Sequence, residues 1–225
     1  MLDQAAGLVL ATFASSGPCA GLPLAPGTSW TYRADVSWAV SESDTARHQT
    51  LSWTTNVLAV RTSDSAVAAT VQGWPTDLAW WEPGRVQTVS VIYCSRGQVY
   101  LLHRPTAVGT ALVTSLLAGS QQPTVDDLIL RFPLHTGQSF GGAAASRSDA
   151  FYAWLVEAAD SLPSLIRRLR PGVTDSLYTL VYRTNPDHTT LGFVPGLGIV
   201  RYSYAHHGTT ASADAWLVGY HEGRP

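Results

Sequence analysis

The chain contains no lysine, and all 14 of its basic residues are arginines. This absence excludes phosphate binding by a P-loop lysine and catalysis through a lysine Schiff base. Charge of either sign is scarce, at 13% of residues, and the net charge is −2. Because proteins that bind nucleic acid need many cationic contacts with phosphates, nucleic acid is not an expected partner.

The sequence also lacks any apolar run long enough to span a bilayer. Its most apolar segment, residues 5–14, has the length of the hydrophobic region of a signal peptide but no basic residues before it. We therefore interpret residues 1–20 as a signal-peptide remnant, whose start lies upstream, or as an N-terminal arm. The alternative is a buried N-terminal helix or strand.

Only two cysteines occur, Cys19 and Cys94. They can pair as a disulfide in an oxidising compartment, and each could equally be a buried thiol. Cys19 follows the apolar run, as the lipid-modified cysteine of a lipoprotein does. Gly17-Pro18 departs from the small residues expected before such a cysteine, which argues against lipid anchoring.

Apolar and polar residues alternate strictly over residues 30–40, where Trp30, Tyr32, Val36 and Trp38 occupy even positions. This period of two predicts a strand of an antiparallel sheet with one wet face. Similar patterns predict further strands at 51–61, 66–72, 85–94, 98–103, 126–134, 150–162, 176–184, 193–206 and 213–221. The spacing of apolar residues in segment 150–162 also fits a helix. We assign it as a strand by analogy with the first half of the chain. The clearest helix signal covers residues 105–119, between a proline and a glycine.

Residues 23–30 and 133–140 share the pattern P-L-x-x-G-x-S-aromatic. This internal repeat predicts one β-rich domain, 21–225, built from two related halves, 21–120 and 121–225. The second copy also matches the G-x-S-x-G pattern of α/β-hydrolases, which makes Ser139 a candidate nucleophile. Ser29 occupies the same place in the first copy, so a turn before a strand accounts for both serines without chemistry.

Carboxylates and histidines follow Ser139 in the order acid then histidine, and His206 and His207 are candidate partners for it. Neighbouring side chains on a strand point to opposite faces, so these two histidines do not predict a shared metal site. We expect no metal and no cofactor. Aromatic faces suit apolar ligands, and the candidate ligand-binding residues are Trp30, Tyr32, Trp38, Trp80, Trp81, Tyr202 and Tyr204.

Three segments resemble a family of uncharacterised bacterial secreted proteins and lipoproteins. They are the opening "PLAPGTSWTY", the stretch "YRTNPD" and the C-terminal "GFVPGLGIVRYSYAHHGTTASADAWLVGY". The resemblance implies an extracytoplasmic, sheet-rich protein without an established activity. It carries over no catalytic residues.

Together these patterns predict a mainly β (α+β) fold, an antiparallel, strongly curved sheet or open barrel whose apolar interior is covered by the 105–119 helix. The function we expect is non-catalytic binding or transport of an apolar ligand such as a lipid, in the envelope or outside the cell. One alternative is a structural or protein-interaction module that contacts envelope proteins. The other is a serine hydrolase that uses Ser139.

Overall fold

The computed structural model describes residues 19, 21–39, 44–77, 87–103, 106–142, 145–147, 149–206 and 211–224. This part of the chain forms one antiparallel sheet of twelve strands and two short α-helices. The strands are β1 Ser29–Trp38, β2 Arg47–Thr62, β3 Ala66–Gln72, β4 Val89–Ser95, β5 Gln98–His103, β6 Leu128–Arg131, β7 Ser139–Phe140, β8 Trp154–Ser161, β9 Ser176–Arg183, β10 Asp187–Val194, β11 Gly198–His206 and β12 Ala211–His221. The helices are α1 Thr106–Leu117 and α2 Ser164–Leu169.

The strand order is β6-β5-β4-β3-β2-β1-β12-β11-β10-β9-β8-β7. Each half of the sheet is a six-stranded meander, and the two meanders join where β1 pairs with β12. The edge strands β6 and β7 then approach each other, so the sheet forms a nearly closed barrel. The predicted mainly β fold with a strongly curved antiparallel sheet is confirmed. The first meander ends at residue 131, because β6 pairs with β5 across the α1 connection.

The seam between β6 and β7 is held by few polar contacts. The Gly142 N–H donates to the Val125 carbonyl at 3.1 Å, and Gln138 Nε2 donates to the Arg131 carbonyl at 3.0 Å. The backbones come close between these two bonds, since a β-carbon on Gly141 would lie 2.7 Å from the Leu128 carbonyl oxygen. Two hydrogen bonds between described residues therefore join the edges of the sheet along the seam.

Successive side chains on a strand point to opposite faces, so every second residue of each strand points into the barrel, as the sequence pattern predicts. The largest fully buried side chains include Trp30, Tyr32, Ile92, Phe140, Leu180 and Phe193. Each buried aromatic or large aliphatic side chain contributes about 1.5–3 kcal/mol through removal from water. The filled interior is thus the main source of the fold's stability.

Helix α1 forms where the sequence predicts it but lies on the other side of the sheet. Its residues Leu112, Val113 and Leu116 pack with Ala68 on β3 and Val91 on β4. The residues next to Ala68 and Val91 on these strands point inward and belong to the interior core. The expectation that this helix covers the apolar interior is therefore wrong. The reason is that β3 and β4 are apolar on both faces, which gives the helix an outer surface to bury.

The second half contains two more strands than the sequence patterns predict, because β7 is not among the predicted strands and one predicted strand is divided in two. The predicted strand 193–206 is wrong, because the chain turns at residues 195–197 and separates β10 from β11. Pro195 cannot donate to a ladder and Gly196 has a φ of 83°, which suits a turn. Helix α2 was not predicted, since its six residues are too few to show a helical period. Neither helix in the described part of the chain is long and apolar enough to cross a membrane.

Cys19 and Cys94 form a disulfide that closes a loop of 75 residues. It attaches the segment before β1 to the end of β4. Beside it, Leu22 and Leu24 are buried in the interior core, and the Gly196 N–H donates to the Gly21 carbonyl at 2.6 Å. This N-terminal segment therefore crosses and seals one end of the barrel.

Cys19→Ser should lower the free energy of unfolding by about 4 kcal/mol, the value expected from loop closure for a loop of this length. Denaturant unfolding of the oxidised protein and of the variant measures the loss. A reductant should lower the stability of the unmodified protein toward that of the variant and leave the variant unchanged. Equal stability of the oxidised and reduced protein would contradict the assignment.

A glycine beside the seam has no room for a side chain. Gly142 has a φ of 76°, and a β-carbon there would overlap the Tyr152 carbonyl oxygen. Gly137 has a φ of 84° with open space around it, so it is the matched control. Gly137→Ala should cost about 1–2 kcal/mol because of its left-handed conformation.

Gly142→Ala should cost about 1–3 kcal/mol more than Gly137→Ala because of the added overlap. Thermal and denaturant unfolding of both variants measure this difference. Equal destabilisation by the two substitutions would show that the backbone at Gly142 can move away from the Tyr152 carbonyl without cost, and would refute the description of close packing beside the seam.

Candidate functional site

Antiparallel meanders place successive connections at opposite ends of the barrel. The connections that follow the odd-numbered strands therefore lie together at one end, which we call the mouth. The other end is sealed by the N-terminal segment and by buried residues of two connections, Leu134 and Leu197. In the described part of the chain, buried side chains thus close the sealed end.

A cavity of about 330 Å³ opens at the mouth, and we call it the mouth cavity. Its aromatic lining residues are Trp74, Trp154, Tyr182, Tyr202 and Tyr204. Aliphatic residues from both halves complete the wall, with Leu101 and Leu128 opposite Leu191. The cavity therefore lies between the two meanders and requires both.

The strand register explains why these side chains meet. Trp154 pairs with Tyr182, Tyr182 with Thr189, and Thr189 with Tyr204, so four neighbouring strands present one inward-facing row. The rings of Trp154 and Tyr182 are 5.3 Å apart between centroids. The next inward row contains Leu191 and Tyr202. An aromatic row near the mouth thus overlies a more apolar floor.

The charged residues among the described lining of the mouth cavity are all acidic. Asp126 and Asp127 line it, and no arginine or histidine is among its described lining residues. Asp127 is engaged, because the Thr124 N–H and hydroxyl donate to its Oδ2 at 2.8 and 2.7 Å. Burial, together with the charge of Asp126, raises the pKa of Tyr182. The Asp126 carboxylate therefore acts on the aromatic wall.

One buried donor at the mouth cavity has no acceptor. Trp74 is 2% exposed, and its Nε1–H has no hydrogen-bond partner in the described part of the chain. Other buried indole donors are satisfied, since Trp30 Nε1 donates to the Leu197 carbonyl at 2.6 Å and Trp53 Nε1 to Gly73 at 3.0 Å. An unpaired buried N–H costs about 1–3 kcal/mol, which a ligand oxygen would recover.

A hydrogen-bonded cluster lies at the rim. Tyr204 Oη donates to Asp187 Oδ1 at 2.6 Å, and His206 Nδ1 lies 2.7 Å from the same oxygen. Burial alone would raise the pKa of Asp187, but the bonds from Tyr204, His206 and Thr184 and the charge of His206 hold it below its ordinary value. Burial and the bond to Asp187 raise the pKa of Tyr204. The cluster fixes one tyrosine of the mouth cavity.

The predicted ligand-binding residues fall into three groups. Tyr202 and Tyr204 line the mouth cavity. Trp30 and Tyr32 are each 1% exposed and belong to the filled core, where Tyr32 Oη donates to the Ile199 carbonyl at 2.8 Å. Trp38 ends β1 and packs at the edge of that core. Trp80, Trp81 and the candidate His207 lie outside the described residues.

Lining residues of the mouth cavity that were not predicted from the sequence include Trp74, Trp154, Tyr182, Thr189 and Asp126. Trp154 and Tyr182 stand in segments that were correctly predicted as strands, and their inward direction follows from alternation. Which inward residue lies at the mouth depends on register across five strands, which no single segment shows. Trp74 and Asp126 lie in connections, where alternation gives no direction.

Ser139 is part of a structural motif. Its Oγ donates to the Trp154 carbonyl at 3.2 Å, and it alternates with the inward-facing Phe140, so its side chain faces away from the interior that His206 faces. No described histidine is within hydrogen-bond distance of Ser139. The geometry therefore gives the hydrolase hypothesis no support.

The two copies of the repeated pattern make the same backbone contacts. The Gly27 N–H donates to Val57, and Val57 donates to Thr28, at 3.1 and 2.9 Å. In the second copy Gly137 donates to Val156, and Val156 to Gln138, at 2.8 and 2.9 Å. Ser29 and Ser139 both begin strands at the sealed end. A common turn explains both serines, while the relationship of the whole halves stays a prediction.

The described histidines are not grouped with enough other ligands for a metal site. Among the described residues no group of three histidine, cysteine, aspartate or glutamate side chains could hold a metal ion. A second depression, of about 710 Å³, lies over β2, β1, β12 and β11. It is lined mainly by small and polar side chains, and Tyr204 is its one aromatic residue among those described. The mouth cavity is the better candidate for an apolar ligand.

No protein-family model and no curated protein matches the sequence. Among solved structures, the chain is similar to a candidate exported protein with a YmcC-like fold from Bacteroides fragilis, with a TM-score of 0.42 and 9% identity over 90% of this chain and 99% of that chain. It is also similar to a candidate lipoprotein from Parabacteroides distasonis, with a TM-score of 0.39 and 12% identity over 90% and 99% of the two chains. At these TM-scores the likeness carries no inference about ligand or activity.

The lowered pKa of Asp187 predicts a specific loss of stability in acid. A carboxylate whose pKa is depressed by folding stabilises the protein above its unfolded pKa, about 4, and this contribution disappears as the pH falls through the folded pKa. Asp187→Asn should therefore reduce the difference in unfolding free energy between pH 7 and about pH 2.5. Urea unfolding at both pH values measures it.

Asp160→Asn is the control, because Asp160 is exposed and has no hydrogen bond or ion pair among the described residues. It should keep the pH dependence of the unmodified protein. If Asp187→Asn keeps that dependence as well, the rim cluster does not contribute to stability in the way described.

Proposed function

We propose that the protein is an extracytoplasmic, non-catalytic binding protein that holds one small apolar or amphipathic ligand in the mouth cavity. The observation that carries this proposal is the aromatic cavity between the two meanders, open at one end of a barrel that is sealed at the other. Ligand sites in proteins are concave, mainly apolar and furnished with a few polar groups. The mouth cavity has these three properties.

The size of the cavity limits the ligand. A volume of about 330 Å³ is at the lower end of the range of about 300–1,000 Å³ that is typical of ligand pockets. It suits one acyl chain or one compact ring system better than a lipid with two chains. The tyrosine hydroxyls and Asp126 at the entrance would face the polar end of such a ligand, and the floor of Leu191 and Tyr202 its apolar end.

The disulfide supports the proposed location. Disulfides persist in oxidising compartments such as the bacterial periplasm and the cell exterior, and they are rare in the cytosol. The bond between Cys19 and Cys94 seals the closed end of the barrel. The resemblance of the opening and the C-terminal strands to bacterial secreted proteins and lipoproteins points the same way.

The proposal predicts that filling the cavity abolishes binding. Thr189 lies in the aromatic row between Tyr182 and Tyr204, so Thr189→Trp places an indole in the space a ligand would use. Titration with the neutral fluorescent probe N-phenyl-1-naphthylamine should give saturable binding to the unmodified protein. In the variant the affinity should fall at least about tenfold, the effect of losing about 1.4 kcal/mol of contact.

Thr190→Trp is the matched control, because Thr190 is the next residue on the same strand and faces outward. It should bind the probe as the unmodified protein does. Equal loss in both variants would indicate general disruption, which thermal unfolding of each variant detects. Absence of saturable binding to the unmodified protein, or full binding by Thr189→Trp, would overturn the proposal and favour a protein-interaction module.

A further inference from the structure

We propose that the mouth cavity selects ligands that carry a cationic nitrogen, such as a primary amine or a quaternary ammonium group, and rejects anionic ones. This inference rests on the proposed function, because it specifies the chemical class of ligand for the same cavity. Three independent features of the lining support it: the sign of the charge at the entrance, a carboxylate without a partner, and the arrangement of aromatic faces.

The first feature is the separation of charge across the barrel wall. Arg183 follows Tyr182 on β9, so alternation directs it outward, where its guanidinium bonds Glu157 Oε1 at 2.6 Å. Arg131 likewise follows the buried Leu130 on β6 and is exposed. The described cavity lining therefore contains carboxylates and no cation. The described charged groups at the entrance are carboxylates and His206, which is bonded to Asp187, so an anionic group there would meet mainly like charge.

The second feature is that Asp126 is available for a ligand. It is exposed and has no hydrogen bond or ion pair among the described residues. Its Oδ1 lies 3.9 Å from the position that a β-carbon on Gly142 would take, which places the carboxylate beside the seam at the cavity edge. Two other described carboxylates near the cavity have partners, since Asp127 binds Thr124 and Asp187 binds Tyr204 and His206.

The third feature is the ring faces next to this carboxylate. The charge of Asp126 reaches the Tyr182 hydroxyl, which contributes to the raised pKa of that tyrosine, and the Trp154 ring lies against Tyr182. Faces of tryptophan and tyrosine attract ammonium groups, most strongly where water is excluded. A carboxylate and an aromatic pair at one edge of an apolar cavity thus provide two favourable contacts for a cationic nitrogen.

The unpaired Trp74 donor adds a requirement on the rest of the ligand. Trp74 lines the cavity, and its buried Nε1–H has no acceptor in the described part of the chain. A ligand with a carbonyl, ester or ether oxygen near its cationic end would satisfy it. The expected class is therefore a single-chain amphiphile that carries a cationic nitrogen and, close to it, an oxygen acceptor.

The test compares three ligands with the same twelve-carbon chain: dodecyltrimethylammonium, dodecanol and dodecyl sulfate. Each displaces N-phenyl-1-naphthylamine from the full chain at concentrations below those at which it forms micelles. The ammonium compound should bind at least about tenfold more tightly than the alcohol, as a cation–aromatic contact combined with an ion pair allows. The sulfate should bind most weakly, and added salt should reduce the preference.

Asp126→Asn keeps the size of the side chain and removes its charge. It should lower the affinity for the ammonium compound toward that for the alcohol and leave the affinity for the alcohol unchanged. Asp160→Asn makes the same change in net charge on an exposed part of β8 and should leave all three affinities unchanged.

The outcomes separate this inference from the proposed function. If the alcohol displaces the probe but the ammonium compound binds no better, the selectivity is refuted while the binding function stands. If none of the three compounds displaces the probe, the binding function fails as well. A preference that survives Asp126→Asn, or that falls equally in Asp160→Asn, overturns the assignment of selectivity to Asp126.

Discussion

The pairing of the first strand with the last is the constraint on which the rest of the structure depends. Every residue of β1 has a partner on β12, from Ser29 opposite His221 to Trp38 opposite Ala211. Without this ladder the chain would form two separate six-stranded sheets with exposed edges, which invite association with other chains. With it, the inner faces of the two meanders turn toward each other and bury a common core. The weak seam between β6 and β7 follows from the same closure, because β7 has only two residues and cannot form a long ladder.

Closure also explains why space remains at one end only. A barrel of twelve strands is wider than the eight-stranded barrels that side chains just fill. At the sealed end the width is taken up by tryptophan and phenylalanine side chains and by the N-terminal segment with Leu22 and Leu24. At the mouth the wall formed by β1 and β12 carries small residues, Ala34, Ala213 and Ala215. The aromatic row on β8 to β11 faces Trp74, Leu101 and Leu128 of the first half of the chain, and the mouth cavity lies between these two walls.

Those parts of the fold that depend on local residue patterns could be predicted from the sequence. Period two in β1 and the proline and glycine around α1 sufficed for the strand and the helix, but the side of the sheet on which α1 packs did not follow, because β3 and β4 are apolar on both faces. The candidate site was less accessible for a related reason. Trp30, Tyr32, Tyr202 and Tyr204 obey the same alternation, yet two of them fill the core and two line the cavity. The position of each residue between the mouth and the sealed end is set by the register of many strands. This register exists only in the closed sheet.

The difference between the two ends of the barrel bears on how specificity arises. At the sealed end both copies of the repeated pattern form the same turn, with the same hydrogen bonds before Ser29 and Ser139, and this uniformity suits a role in closure. The mouth is built from connections that differ in length and composition, and Asp126 and Trp74 both lie in such connections. Loops carried by a rigid sheet can change without cost to the core. Charge selection by Asp126 would therefore be a property of one connection, separable from the strands that create the cavity, so loss of selectivity need not entail loss of binding.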